Sequence, residues 1–181
     1  GQAHTLDSYT LKIGEGDPIA VGADGTYTFD NGDVLTVVVE GSITNVAESD
    51  VTNAITSLTI MNGAEDVSGA YSVTQNNGTL TVTAKPVTVT ANSEGFTYDG
   101  QPHSNAGYDV VGLVGQDAIT AMVTGSITYP SESPVTNVLT SYEFTAGTSS
   151  NYSVTEYDGT LTMEYGEAVA LEVTADSDSW T

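Results

Sequence analysis

Gly-Ser-Ile-Thr stands at Gly41–Thr44 and again, 84 residues on, at Gly125–Thr128. Val51-Thr52-Asn53 returns at the same offset as Val135-Thr136-Asn137, and Gly63 as Gly147. Between Gly41 and Gly63, 12 of 23 positions match their counterparts. After a three-residue change of length, Tyr71-Ser72-Val73-Thr74 matches Tyr152-Ser153-Val154-Thr155, and Gly78-Thr79-Leu80-Thr81 matches Gly159-Thr160-Leu161-Thr162. So many matches in one order predict the same small unit built twice, with stacking or a rigid junction supporting modules too short for a large core.

The unit reads as all-β. Thr and Val, 28 and 21 of 181 residues, favour a pleated, half-buried backbone. Thr79–Ala84 and Val87–Ala91 alternate with period two. Lys85-Pro86 lies between them, and proline, which cannot donate to a ladder, marks a strand edge or module boundary. Asn76-Asn77-Gly78 and Tyr157-Asp158-Gly159 predict tight hairpins, pairing Tyr71–Val73 with Leu80–Val82 and Tyr152–Val154 with Leu161–Met163. Asp24-Gly25 reads as a further hairpin turn. Gln116–Met122, behind Asp117 as a cap, is the least poor helix candidate. The expectation is two tandem small β modules, each an Ig-like sandwich or β-grasp-like, forming an elongated, stiff rod. Residues 1–84 form a divergent first copy, whose first 33 or so residues match the second weakly, and residues 85–167 form the second. Residues 168–181 open a third copy or close the second: Val173-Thr174-Ala175 and Ser177 repeat Val89-Thr90-Ala91 and Ser93, and Trp180-Thr181 align with Phe96-Thr97. The chain is therefore expected to be a monomeric piece of a longer array, with Gly1 as a cleavage scar.

Charge excludes whole classes of partner. Two Lys/Arg against 24 Asp/Glu give a net charge of -22, and two lysines cannot build the basic face that nucleic acid or an anionic membrane requires. No apolar run is long enough to insert into a bilayer. With no cysteine there are no disulfides, thiolate zinc sites or cysteine nucleophiles. Lys12 is expected to be the one good tryptic site, since Lys85 precedes proline, a pattern suited to a protease-rich host environment.

Val87–Ala91, Phe96-Thr97-Tyr98-Asp99-Gly100, Gly112-Leu113-Val114, Asn151–Thr155 and Gly159–Thr162 occur in that order. This succession resembles the YDG/MBG type of repeat found in large bacterial surface adhesins. The likeness covers Lys85–Met163 well and Gly41–Ala84 in part; the first copy has no Tyr-Asp-Gly at the expected place. It implies extracellular, tandem, mostly β modules that form the stalk or binding region of an adhesin, and it carries over no catalytic residue.

Candidate sites are few. Tyr98–His103 reads first as a turn, with Asp-Gly for the bend, Pro102 for stiffness and Tyr98 packed on the sheet. His103 and the distant His4 lack the further ligands zinc needs. Asp24, Asp30 and Asp33 are calcium candidates in a Gly- and Asn-containing stretch, without the spacing of an EF-hand; turn-forming aspartates are the plainer account. Asp176 and Asp178 read as a polar loop. Lys12 and Lys85 are expected to face solvent, against the burial that an isopeptide bond requires. Among the tyrosines, Tyr71, Tyr98 and Tyr152 are expected to pack, while Tyr129, Tyr142, Tyr157 and Tyr165 are candidates for exposed glycan contacts. No motif supports catalysis or a cofactor. The expected role is an extracellular stalk repeat on a bacterial cell surface; the alternative is a module that binds host glycan or mucin.

Overall fold

A computed structural model describes residues 1–178. They form an all-β structure. The helical segments among them are 3-10 turns of three residues each, so no β-grasp helix is formed. The chain divides into two compact units, Gly1–Lys85 with Thr148–Ser153, and Pro86–Gly147 with Val154 onward.

Unit 1 contains β1 (Tyr9–Leu11), β2 (Ile19–Val21), β3 (Thr26–Thr28), β4 (Val34–Glu40), β5 (Val51–Asn62), β6 (Glu65–Asp66) and β7 (Gly78–Leu80). β1 pairs with β2; a second sheet runs β3-β4-β5-β6, with β7 also on β5. Unit 2 is built from β8 (Lys85–Ala91), β9 (Glu94–Thr97), β10 (Tyr108–Val111), β11 (Ala118–Thr124), β12 (Val135–Ala146), β13 (Tyr152–Tyr157) and β14 (Gly159–Glu164). One sheet runs β10-β8-β13 and the other β11-β12-β14-β9, in which β14 and β9 are parallel.

The repeat is reproduced pair by pair. Leu35 faces Ile60 as Ile119 faces Phe144, and Val39 faces Ile55 as Val123 faces Leu139. Both ladders slip at the same point. Val38 pairs with Ser57 and Val39 with Ile55, skipping Thr56; Met122 pairs with Ser141 and Val123 with Leu139, skipping Thr140. Such a bulge turns the next side chain back to the core face. Val51-Thr52-Asn53 pairs with Leu80-Thr79-Gly78, and Val135-Thr136-Asn137 with Leu161-Thr160-Gly159.

The structure also extends the match to the start of the chain. His4 bridges Ile43 as His103 bridges Ile127. This aligns Gly1-Gln2-Ala3-His4 with Gly100-Gln101-Pro102-His103, and Tyr9 with Tyr108, 99 residues apart rather than 84. The 15-residue difference is an insertion that holds β2 and β3. In the first copy Gly1, Gln2 and His4 therefore match Gly100, Gln101 and His103, in another register, and no Tyr-Asp-Gly is present there.

Burial follows the alternation where strands are doubly covered. In β8, Val87, Val89 and Ala91 are buried; in β14, Gly159, Leu161 and Met163 are. Complete burial of a Val or Leu side chain contributes about 1.5–3 kcal/mol. Pro86 sits second in β8, at the strand start where its missing donor matters least.

Several expectations are corrected. Neither predicted hairpin forms. Tyr71–Asn77 joins no strand while β7 pairs with β5, and β13 pairs with β8 while β14 lies between β12 and β9. Gly159 serves close approach, not a turn: its φ is not positive, and a Cβ there would meet the carbonyls of Asn92 and Ala91. Asp24-Gly25 turns the chain between β2 and β3, which pair with different strands. Gln116–Met122 feeds β11, whose Ile119 and Val123 are buried, so tertiary pairing overrides local helical tolerance. The strand expected over Thr79–Ala84 ends at Leu80. Residues 168–178 form no strand, and the match of Trp180-Thr181 to Phe96-Thr97 lies outside the described residues.

Candidate functional site

The Tyr98–His103 segment follows β9 directly and extends its ladder, with Tyr98 N–H donating to Glu164 O at 2.9 Å. Asp99 then closes the turn. Its Oδ1 accepts the Gln101 N–H at 2.9 Å and lies 3.0 Å from His103 Nε2. Both contacts, that with His103 foremost, hold the Asp99 carboxyl below the usual carboxylate range. Gly100 takes a φ of +81°, which glycine adopts without strain. The His103 ring stacks on Phe96 with centroids 4.7 Å apart, and its backbone bridges Ile127. The histidine is thereby committed to the turn.

This turn presents aromatic surface. Tyr98 is exposed, contrary to the expectation that it packs on the sheet, because it lies past the end of β9. Its ring centroid is 6.1 Å from that of Tyr129, which is 52% exposed. Two neighbouring phenol rings make an amphipathic face of the kind that contacts sugars and wet interfaces. Tyr157 and Tyr165 are exposed as expected, at the ends of β13 and β14. Tyr142 is half-buried; it shares a strand face with Phe144 two residues on, and their rings meet edge to face at 6.4 Å.

The three calcium candidates are not brought together as a ligand set. Asp33 is buried and its oxygens are taken by neutral donors: Tyr71 Oη at 2.6 Å, Asn62 Nδ2 at 2.6 Å and Asn31 Nδ2 at 2.9 Å. Asp24 and Asp30 are exposed, and Asp24 Oδ2 is 3.5 Å from Thr26 Oγ1, too long for a strong bond. Among the described residues no group of three His, Cys, Asp or Glu is placed to hold a metal.

Two repeated devices escape a motif search. Asn53 and Asn137 are buried and donate to carbonyls: Asn53 to Leu6, Asn137 to Asn92 and Asn105, each at 2.8 Å. The Oδ1 of each is buried with no hydrogen-bond donor. It rests instead on a glycine, since a Cβ built on Gly41 or Gly125 would lie 2.6 or 2.5 Å from it. Glu48 accepts the N–H groups of Thr44 and Asn45, and Glu132 those of Thr128 and Tyr129. These backbone bonds hold both carboxyls below their usual range. The signal was present in the sequence: all four positions recur at the offset of 84.

The arrangement offers rigid turns, an aromatic face on unit 2 and, on unit 1, an open apolar groove beside β1. Comparison with protein-family models, curated proteins and solved structures finds no match to the chain.

Proposed function

We propose that the chain is an extracellular structural repeat of a bacterial surface adhesin, a stalk that carries a binding region away from the cell and has no catalytic residue. The observation that supports this reading is the duplicated ladder, with the same register and the same skipped threonine, Thr56 and Thr140. Repetition of one structural unit is the pattern of arrays whose modules contact only their neighbours. Nucleic acid is no partner for a chain of charge -22. No helix among the described residues is long and apolar enough to cross a membrane. The test displays one, two or four copies of the chain beneath a distal epitope tag on a bacterial surface. Tag height by force microscopy should rise with copy number; a height independent of copy number overturns the proposal.

The pairing of exposed Tyr98 and Tyr129 favours a second reading, a module that contacts host glycan or mucin. Binding on a glycan array that disappears in Tyr129→Ala and Tyr98→Ala would establish that reading over a passive stalk.

A further inference from the structure

Asn-Gly occurs three times, at Asn31-Gly32, Asn62-Gly63 and Asn77-Gly78, each time in unit 1. At such a step the glycine nitrogen can attack the asparagine Cγ, because glycine has no Cβ to keep the two apart. All three asparagines are exposed, so access of water does not separate them. Their hydrogen bonds do. Asn31 Nδ2 donates to Asp33 Oδ2 at 2.9 Å and to Tyr71 Oη at 3.0 Å, and its Oδ1 accepts the Asp33 N–H at 3.1 Å. Asn62 Nδ2 donates to Asp33 Oδ1 at 2.6 Å. Both amides must leave a carboxylate to react, and that carboxylate opposes the negative charge that the attack creates.

Asn77 is held the other way round. Its Oδ1 accepts the Ile55 N–H at 3.0 Å, and among the described residues no acceptor binds its Nδ2. A donor on the carbonyl oxygen stabilises the charge that gathers there as the tetrahedral intermediate forms, while the leaving amide has no protein bond to break. Unit 2 supplies an independent observation. The counterpart of Asn77 is Asp158, and that of Ile55 is Leu139. The Leu139 N–H donates to Asp158 Oδ1 at 2.8 Å, and Asp158 is exposed as Asn77 is. The position therefore accepts a carboxylate in the same bond. We propose that Asn77 is a self-modifying site, which deamidates ahead of Asn31 and Asn62 and gives unit 1 the aspartate that unit 2 carries from the start.

The reaction needs only water. Hydroxide takes the Gly78 N–H proton, and the nitrogen attacks Asn77 Cγ. The new N–C bond closes an imide ring, the Cγ–Nδ2 bond breaks, and ammonia departs with a proton returned by water. A water molecule then opens the imide. Attack at Cγ breaks the new bond and leaves aspartate; attack at the Asn77 backbone carbonyl leaves an isoaspartate linkage. The balance is water consumed, ammonia released and a carboxylate gained. Aspartate keeps an acceptor on the Ile55 N–H, whereas isoaspartate adds a carbon to the main chain just before β7.

The test is incubation of the whole native chain at mildly alkaline pH, followed by intact mass and by peptide mapping that resolves aspartate from isoaspartate. The expected result is a gain of about 1 Da at Asn77. It should appear at least about tenfold faster than at Asn31 or Asn62, because freeing either of those amides breaks a charge-assisted bond. In denaturant, where those bonds are gone, the three rates should converge. Asn77→Gln should remove the fast gain, and Asn77→Asp should melt with the wild type. A native rate at Asn77 no greater than at Asn31 and Asn62 overturns the proposal. So does a preference that persists in denaturant, a fast gain that survives Asn77→Gln, or a lowered melting temperature in Asn77→Asp.

Discussion

The Tyr71 hydroxyl donates a 2.6 Å hydrogen bond to Asp33 Oδ2, joining the start of β4 to the open stretch that walls the unit 1 groove. Asn62 and Asn31 complete the shell around the carboxylate. The Tyr71 bond first, then those from Asn62 and Asn31, draws the Asp33 carboxyl below its ordinary range; the same bond raises the Tyr71 phenol.

The signs set a stability window. A lowered carboxyl contributes stability above its unfolded value, about 3.9, and loses it as pH falls through the lower folded value. A raised phenol contributes below about 10 and loses its contribution as pH rises through the folded value. Between about pH 4 and pH 2, the denaturant midpoint of the wild type should fall more than that of Asp33→Asn. Parallel curves for the two would remove Asp33 as the acid-sensitive group.

Gly125→Ala and Gly41→Ala should each destabilise by about 1–3 kcal/mol, because the added methyl drives into a buried asparagine that cannot retreat without breaking its carbonyl bonds. Thermal melts of both variants check this, and an unchanged midpoint in either would show that the asparagine moves freely.

Ile127→Ala and Leu161→Ala remove side chains with no exposed surface from the unit 2 core. Each should cost about 2–5 kcal/mol in urea titration. Val111→Ser, at a 70% exposed position, should stay within about 0.5 kcal/mol of wild type. Equal effects at Ile127 and Val111 would contradict the assignment of the core.

Salt should stabilise the fold. With a net charge of -22 and two cations, repulsion far outweighs attraction. Raising salt from about 0.01 M to about 1 M shortens the screening length from about 30 Å to about 3 Å, and the melting temperature should rise with it. A melting temperature that falls across that range would contradict net repulsion.

Trypsin should cut the native chain once. Lys12 is exposed just past β1, whereas Lys85 precedes Pro86 inside β8. Mass spectrometry of the digest should give one cleavage, after Lys12; fast cleavage after Lys85 would mean that β8 opens readily.

Much of this was legible before any coordinate. The offset of 84 marks the duplicated ladder, and the alternation in Val87–Ala91 marks the buried face of β8, because side chains on opposite faces of a strand meet opposite environments. The turn at Asp99-Gly100 follows from residue type, since a short acceptor and a glycine satisfy a bend locally. The hairpin readings failed on the same logic. Asp158-Gly159 is locally suited to a tight turn, yet the strands on either side of it join different sheets.

What a residue's neighbours along the chain determine here is period, turn and repeat. Partner choice, burial of Asp33, exposure of Tyr98 and the shift of the first copy to an offset of 99 depend on residues tens of positions away. Such contacts form only when loops close and sheets pack, and no local pattern records which partner is then in reach.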